Sequence, residues 1–268
     1  MEQPTDPGAC LPLVIIPGAG GFYTRTDGLV EACRAHGETV LLDYPELQWH
    51  FRRGDLWALA VEMHARIRER MGHRSFVLAG VSLGAIVAAL IVQLDRQELR
   101  VARLVAIDPV RSETSAIQSG WLARNLGRIR RAGCSGLPAF IWVRLNRTVA
   151  RILSPRLRRG SRMASLAARM LGSSGVFRRQ LRMRLLIDAD VTWRPDEGGT
   201  ASGVPCVILH TPSKAPDAAF WKPRFNSIGL VGIAGDHDTW FDFDGLQLLL
   251  EQWDAASAPV RSDQAAQY

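Results

Sequence analysis

Short apolar runs alternate with longer amphipathic segments along most of the chain. The apolar runs, each four to six residues long, predict buried strands at 13–16, 39–42, 76–79, 104–107, 204–209 and 228–233. The segments between them predict helices over 24–35 and 55–71, from 83 onward, and over 243–253. In the helix over 55–71, one face carries Leu56, Leu59, Ala60, Met63 and Ile67. Strands that alternate with helices predict an α/β fold, a mostly parallel sheet with helices on both faces.

The alternation is interrupted between the fourth and fifth predicted strands. Residues 111–200 have the pattern of several helices with arginine-rich faces. We therefore predict an α/β core made of residues 1–110 and 201–268, and a helical insertion, residues 111–200, that forms a lid. The length of 268 residues suits one domain with an insertion of this size.

The positive charge of the chain is concentrated in the predicted insertion. The formal net charge is +7, and the segment between Arg111 and Ile187 contains 17 arginines against one acidic residue, Glu113. The chain outside this segment therefore has a net charge of −9. A general preference for arginine explains the scarcity of lysine but not the scarcity of acids, so we predict that the insertion has a partner of its own.

Composition excludes several other classes of protein. Hydrophobic residues make up 47% of the chain, enough for a packed core. The four cysteines lack metal-ligand spacing and form no disulfide framework, so we predict a cytoplasmic protein without a metal site. We find no signal peptide at the N-terminus. The insertion has few aromatic residues for base stacking, and we predict no nucleic-acid partner.

One uncharged segment, residues 75–94, is long enough to cross a bilayer. However, a serine flanked by glycines lies in its middle, at Gly80-Val81-Ser82-Leu83-Gly84. We therefore predict a buried strand, a turn and a buried helix, and no membrane span.

This turn carries the candidate nucleophile, Ser82. The G-x-S-x-G pattern follows a predicted strand and precedes a helix, the context in which a sharp turn holds a serine hydroxyl clear of a sheet. Glycines at 80 and 84 remove the side chains that would clash at such a turn. The free N–H groups at the start of the helix would face developing negative charge.

Among six histidines, His237 is the predicted general base. It follows the last predicted strand and comes after Ser82 in the chain, which matches the order serine, acid, histidine of α/β-hydrolases. His210 ends the fifth predicted strand and is a weaker candidate. Of the other four, one lies at a predicted helix end, one in a helix and one in a turn, and His50 is not at a strand end.

A carboxylate must orient the imidazole, and two remain candidates. Asp108 ends the fourth predicted strand, and Asp217, the alternative acid, follows the fifth. Asp236 and Asp238 adjoin His237 in sequence, which is unfavourable for facing its ring. For the oxyanion hole we predict the backbone N–H groups of Leu83 and Ala19.

Together these residues resemble the thioesterase domains of nonribosomal peptide and polyketide synthases, which are α/β-hydrolases. The likeness is carried by four segments in the same order: 16–21 (IPGAGG), 78–85 (LAGVSLGA), 104–108 (LVAID) and 235–237 (GDH). In synthase-terminal members the acid ends the strand after the nucleophile helix, which favours Asp108. In free-standing editing members it comes later, which would favour Asp217. Val81 departs from the histidine or tyrosine that is usual at that position.

The resemblance implies a reaction and a partner. Such enzymes take an acyl or peptidyl chain from the phosphopantetheine arm of an acyl or peptidyl carrier protein, forming an acyl-Ser82 intermediate that is released by hydrolysis or cyclisation. No cofactor is implied beyond that arm, which belongs to the substrate. Because such carriers are usually acidic, the basic lid could attract one. The competing hypotheses are a carboxylesterase or lipase acting on free esters, and a hydrolase-like, non-catalytic interaction module.

Overall fold

A computed structural model describes residues 10–22, 27–46, 55–94, 99–109, 137–171, 175–192, 201–212, 216–235, 237, 240–242 and 244–258. In this part of the chain, six strands form one sheet in the order β2-β1-β3-β4-β5-β6, and every neighbouring pair is parallel. The strands are β1 (Leu13–Ile16), β2 (Thr39–Leu41), β3 (Ser75–Val81), β4 (Arg100–Ile107), β5 (Cys206–His210) and β6 (Ile228–Gly232).

Helices cover both faces of the sheet. The α-helices among the described residues are α1 (Asp27–His36), α2 (Leu56–Met71), α3 (Leu83–Leu94), α4 (Leu137–Arg158), α5 (Arg162–Leu171), α6 (Gly175–Thr192), α7 (Ala218–Trp221) and α8 (Gly245–Ser257). Helices α2 and α3 pack on one face against alternate strand residues such as Leu78 and Leu104. Helices α1 and α8 pack on the other face against the intervening residues, such as Val77 and Val105. Strand residues are therefore buried on both sides, which explains their continuous apolar runs.

The predicted fold class is confirmed, with small differences at element ends. Strand β5 begins at Cys206 rather than at 204, because Pro205 has no N–H to donate to the sheet. The ambiguous segment 75–94 divides into β3 and α3, as predicted. Within the described residues, none of the helices combines the length and the apolarity needed to span a membrane.

The insertion between β4 and β5 contains α4, α5 and α6, which share a small core of their own. Its buried residues are Ala150, Leu157, Ala164, Ala168, Phe177, Leu181 and Leu185. A hydrogen bond of 2.7 Å from the Ser154 hydroxyl to Asp188 also joins α4 to α6. The described part of this insertion is mainly helical, as the sequence predicts, but its boundaries at 111 and 200 and its role as a lid stay predictions.

Several predictions fall on residues outside the described set. These are the start of the first helix at 24, the start of the last helix at 243, the carboxylates Asp236 and Asp238, and the insertion residues 111–136, 172–174 and 193–200.

Close backbone packing fixes the turn between β3 and α3. A Cβ atom on Gly84 would lie 2.3 Å from the Pro17 carbonyl oxygen and 2.5 Å from that of Ile16. Backbone atoms of β1 cannot move away without disturbing the sheet. We therefore expect Gly84→Ala to lower the free energy of unfolding by at least about 2 kcal/mol, measured by urea denaturation.

Gly28 in α1 provides the matched control, because a Cβ there would have no atom within 4 Å. Gly28→Ala should leave stability unchanged or raise it by up to about 1 kcal/mol, through the better helix propensity of alanine. Equal losses in both variants would contradict this account of Gly84.

Candidate active site

Ser82, Leu83 and Ala19 lie at the point where the strand order of the sheet reverses, and the other predicted site residues follow later strands of the same sheet. The chain runs from β1 outward to β2 and then returns to β3 on the other side of β1. In parallel sheets, the crevice outside the carboxyl ends of the strands at such a reversal is where ligands bind. The loop that follows β1 and the turn at Ser82 that follows β3 border this crevice.

Ser82 occupies a strained turn between β3 and α3. Its φ angle is 56°, in the left-handed region that non-glycine residues rarely adopt. Its N–H donates to the Ile107 carbonyl at 2.8 Å, which fixes the serine beside the end of β4. A Cβ on Gly80 would lie 2.4 Å from the Gly84 carbonyl oxygen, so both glycines of the motif are required sterically. The arrangement is that of a nucleophile elbow.

The loop after β1 packs directly against this elbow. A Cβ placed on Gly18 would lie 3.4 Å from the Ser82 Cβ, and the Gly21 N–H donates to the Gly18 carbonyl at 2.8 Å. The buried Tyr44 hydroxyl donates to the Pro17 carbonyl at 2.6 Å and holds the start of the loop. Ala19 lies inside this turn and Leu83 is the first residue of α3. The assignment of their N–H groups to an oxyanion hole stays a prediction.

Asp108 and His237 are brought together, although 129 residues separate them in the chain. The Nδ1 atom of His237 lies 2.5 Å from Oδ2 of Asp108. Asp108 is fully buried directly after β4, and its N–H donates to the Leu209 carbonyl at 2.6 Å. Its φ angle is 41°, also in the positive range. In the described part of the chain, Ser82 and Asp108 are the two non-glycine residues with positive φ. Strain of this kind clusters at functional sites.

Thr211 completes the surroundings of the Asp108 carboxylate. Oδ1 of Asp108 accepts hydrogen bonds from the Thr211 N–H at 3.0 Å and from its hydroxyl at 2.9 Å. Burial alone would raise the pKa of Asp108, but the hydrogen bonds from His237 and Thr211 outweigh it and hold the pKa below its ordinary value. Asp108 is therefore a carboxylate at neutral pH.

This geometry leaves one nitrogen of His237 for chemistry. Because Nδ1 is bonded to Asp108, Nε2 is the ring nitrogen that can accept a proton from a nucleophile. The His237 side chain is 30% exposed, so a substrate can reach it, whereas Asp108 is inaccessible. The arrangement can orient the imidazole and stabilise its protonated form, as general base catalysis requires.

The alternative candidates have other surroundings. Asp217 precedes α7, and its Oδ1 accepts the Ala219 N–H at 3.1 Å, which makes it the N-cap of that short helix. His210 ends β5, and its Nδ1 lies 3.4 Å from the Thr211 carbonyl oxygen. Of the two predicted acids, Asp108 is the one that contacts His237.

Two residues of this site were missed by the sequence analysis, Thr211 and Tyr44. Thr211 directly follows β5, so its position at the carboxyl edge of the sheet was the available signal. Tyr44 lies three residues after the end of β2, and nothing in the sequence indicates that its hydroxyl reaches Pro17.

A second group of side chains, of types that can bind metal ions, lies away from Ser82. Among the described residues, such a group is formed by Cys10, His36 and Asp254, whose atoms lie within 4.8 Å of one another. The bonds from His36 at 2.7 Å and Cys10 at 3.4 Å to the same Asp254 oxygen account for this proximity. Because Cys10 precedes β1, the group is at the amino edge of the sheet, opposite Ser82.

Comparisons with known proteins identify the fold. No protein-family model matches the sequence, and no curated protein sequence matches it significantly. RedJ, the thioesterase of the prodiginine pathway of Streptomyces coelicolor, is similar in structure at 20% identity, with a TM-score of 0.55 and coverage of 96% of this chain and 90% of that chain. The NocB thioesterase domain, in covalent complex with a fluorophosphonate nocardicin G analogue, is 16% identical, with a TM-score of 0.56 and coverage of 94% and 97%.

A third similar structure has a different name. It is a Pseudomonas aeruginosa protein provisionally named an epoxide hydrolase, 18% identical, with a TM-score of 0.54 and coverage of 94% and 92%. These similarities show that the chain has the α/β-hydrolase fold. The expected resemblance to thioesterase domains is confirmed at the level of the fold, and function must be argued from the site.

Proposed function

We propose that this chain is a serine hydrolase that cleaves acyl thioesters through an acyl-Ser82 intermediate. The observation that carries the proposal is the hydrogen bond between His237 and the buried Asp108 carboxylate, at the same sheet edge as the strained Ser82. A binding module has no need of a strained serine and an oriented imidazole together.

The proposed reaction uses each group in turn. Nε2 of His237 accepts the Ser82 proton as Oγ attacks the thioester carbonyl, and the N–H groups of Ala19 and Leu83 stabilise the oxyanion. The tetrahedral intermediate collapses, the C–S bond breaks, and His237 returns the proton to the leaving thiolate. Water, or a nucleophile within the acyl chain, then attacks the ester with His237 again as base, and free Ser82 is restored.

We further propose that the thioester is presented on the phosphopantetheine arm of an acidic carrier protein. Two of the similar structures are named as thioesterases, one of them from a biosynthetic pathway, which supports this choice over free esters. The proposed docking surface is the exposed side of α5. Its small residues Ala164 and Ala168 are buried, while Met163, Leu166 and Met170 are 74%, 53% and 73% exposed.

The exposed side of α5 has the chemistry of a protein interface. Its three large apolar residues form a stripe at helical spacing, and the exposed Arg162 and Arg169 flank the stripe. Methionine-rich surfaces adapt to partner helices, and the arginines would attract an acidic partner. An acidic carrier that presents an apolar helix face fits both features.

The test compares one acyl group on a carrier protein, on pantetheine and on p-nitrophenol. We expect kcat/KM to be highest for the carrier, and this advantage to fall several-fold between about 50 and 500 mM salt as the arginines are screened. Met163→Ser/Met170→Ser should lower kcat/KM for the carrier substrate by about tenfold. Leu230→Ser, which changes an apolar residue 61% exposed on β6, is the matched control and should have no such effect.

The outcomes separate the alternatives. Cleavage of the p-nitrophenyl ester without any advantage of the carrier would favour a carboxylesterase or lipase. Inertness towards all three substrates would favour a non-catalytic interaction module.

A further inference from the structure

A cleft of about 430 Å³ lies beside the loop that follows β1. Its walls include Gly20 and Phe22 of that loop and the first two residues of α6. Among the described residues, the rest of its lining comes from three arginines of α6, Arg178, Arg179 and Arg182. Arg182 is four residues from Arg178 and three from Arg179, so these arginines share one side of α6, and all three line the cleft.

Arg182 joins α6 to the loop that follows β1 and to Asp43. Its Nη2 donates to the Gly20 carbonyl at 3.3 Å and its Nη1 to Oδ2 of Asp43 at 3.4 Å. Gly21 has a φ of 73°, and a Cβ there would lie 2.0 Å from the guanidinium, so the loop requires glycine to receive Arg182. Arg182 is thus a positioning residue that holds α6 against the loop, while Arg178 and Arg179 supply charge to the cleft.

The cleft is close to the proposed reaction. Gly20 lies within the hydrogen-bonded turn that begins at Gly18, whose Cβ position is 3.4 Å from the Ser82 Cβ. The Cα atoms of such a turn lie within about 7 Å of one another, so the cleft begins within about 10 Å of the nucleophile. A substituent that extends up to about this far from the thioester carbonyl can therefore reach it.

We propose that this cleft binds an anionic group of the substrate, with Arg178 and Arg179 as the binding residues. The inference rests on the proposed function and deepens it, because it adds a negative charge to the substrate class. An arginine guanidinium can donate two parallel hydrogen bonds to the oxygens of a carboxylate or a phosphate. Such charge-assisted hydrogen bonds are stronger than hydrogen bonds between neutral groups. The anion can come from the acyl side, as a terminal carboxylate, or from the thiol side, as a phosphate.

The experiment uses the full chain and three thioesters: butyryl-pantetheine, glutaryl-pantetheine and butyryl-phosphopantetheine. Glutaryl-pantetheine adds a carboxylate on the acyl side, and butyryl-phosphopantetheine adds a phosphate on the thiol side. We expect kcat/KM for one anionic substrate to exceed that for butyryl-pantetheine by about tenfold or more. The substrate that gains this advantage identifies the source of the anion.

The double variant Arg178→Gln/Arg179→Gln is expected to bring the ratio of anionic to neutral kcat/KM close to one. Arg151→Gln, which removes the same charge from an exposed position on α4, should leave the ratio at its wild-type value. The proposal is overturned if neither anion is favoured, or if the double variant and the control change the ratio equally.

A binding measurement separates this proposal from the proposed function. If no thioester is turned over, calorimetry with phosphopantetheine, pantetheine, glutarate and butyramide still tests the cleft. Tighter binding of one anionic compound than of its neutral counterpart, lost in the double variant, would support the anion subsite even though the thioesterase proposal had failed. Equal binding of anionic and neutral compounds would overturn it.

Discussion

Ser82→Ala is expected to abolish acylation of the protein and to lower thioester turnover by roughly a millionfold. The substitution removes the one atom, Oγ, that forms the covalent bond, while the turn itself is held by the packing of Gly80 and Gly84 and by the N–H of Ser82. The variant should therefore retain the fold and lose the acylation reaction. Intact-mass analysis after incubation with an acyl-pantetheine thioester measures the result directly, because wild type gains the mass of one acyl group.

Ser227 gives a matched control for this variant. It is exposed and immediately precedes β6, at the amino edge of the sheet and therefore away from Ser82. Ser227→Ala should acquire the acyl group at the wild-type rate. An adduct that persists in Ser82→Ala would show that another side chain is acylated and would refute the proposed nucleophile.

Local patterns explain why the glycine-flanked turn at Ser82 and the sheet were predictable. A buried parallel strand must be apolar on both faces, and the turn at Ser82 requires glycine at two fixed positions. Each feature therefore produces a recognisable sequence pattern only a few residues long. From the residues alone, Asp108 was one of two candidate carboxylates, and the resemblance to synthase-terminal thioesterases favoured it over Asp217. The contact between Asp108 and His237 could not be predicted, because it depends on how β4 and the loop after β6 meet in space.

Contacts between segments distant in the chain produce no such short sequence pattern. The bonds from Thr211 to Asp108 and from Tyr44 to Pro17 each join the ends of different strands, and single residues at strand ends have no characteristic pattern. The same holds for Arg182, one arginine among many in the insertion, whose role emerges only from its fit against Gly21. Sequence composition indicated a basic insertion, but it could not indicate which arginines approach the site.

Asp108→Asn should lower kcat by about 10⁴-fold, whereas Asp217→Asn should change it by less than about threefold. The asparagine Oδ1 can still accept both bonds from Thr211, but its amide would donate a proton to Nδ1 of His237. The ring proton would then reside on Nε2, which could no longer accept a proton from Ser82. At 217, asparagine is as good an N-cap as aspartate, so that variant tests the removal of a carboxylate without loss of the cap.

The pH dependence of stability tests the lowered pKa of Asp108 separately from activity. Because the pKa of Asp108 is lowered in the folded state, its ionised form stabilises the fold fully above the unfolded-state pKa of about 3.9. That contribution is lost as the pH falls through the lower, folded-state pKa. The difference in unfolding free energy between wild type and Asp108→Asn should therefore narrow as the pH falls below about 4, as measured by urea denaturation. A severe loss of kcat in Asp217→Asn, with Asp108→Asn active, would instead assign the acid to 217 and leave Asp108 a structural partner of Thr211.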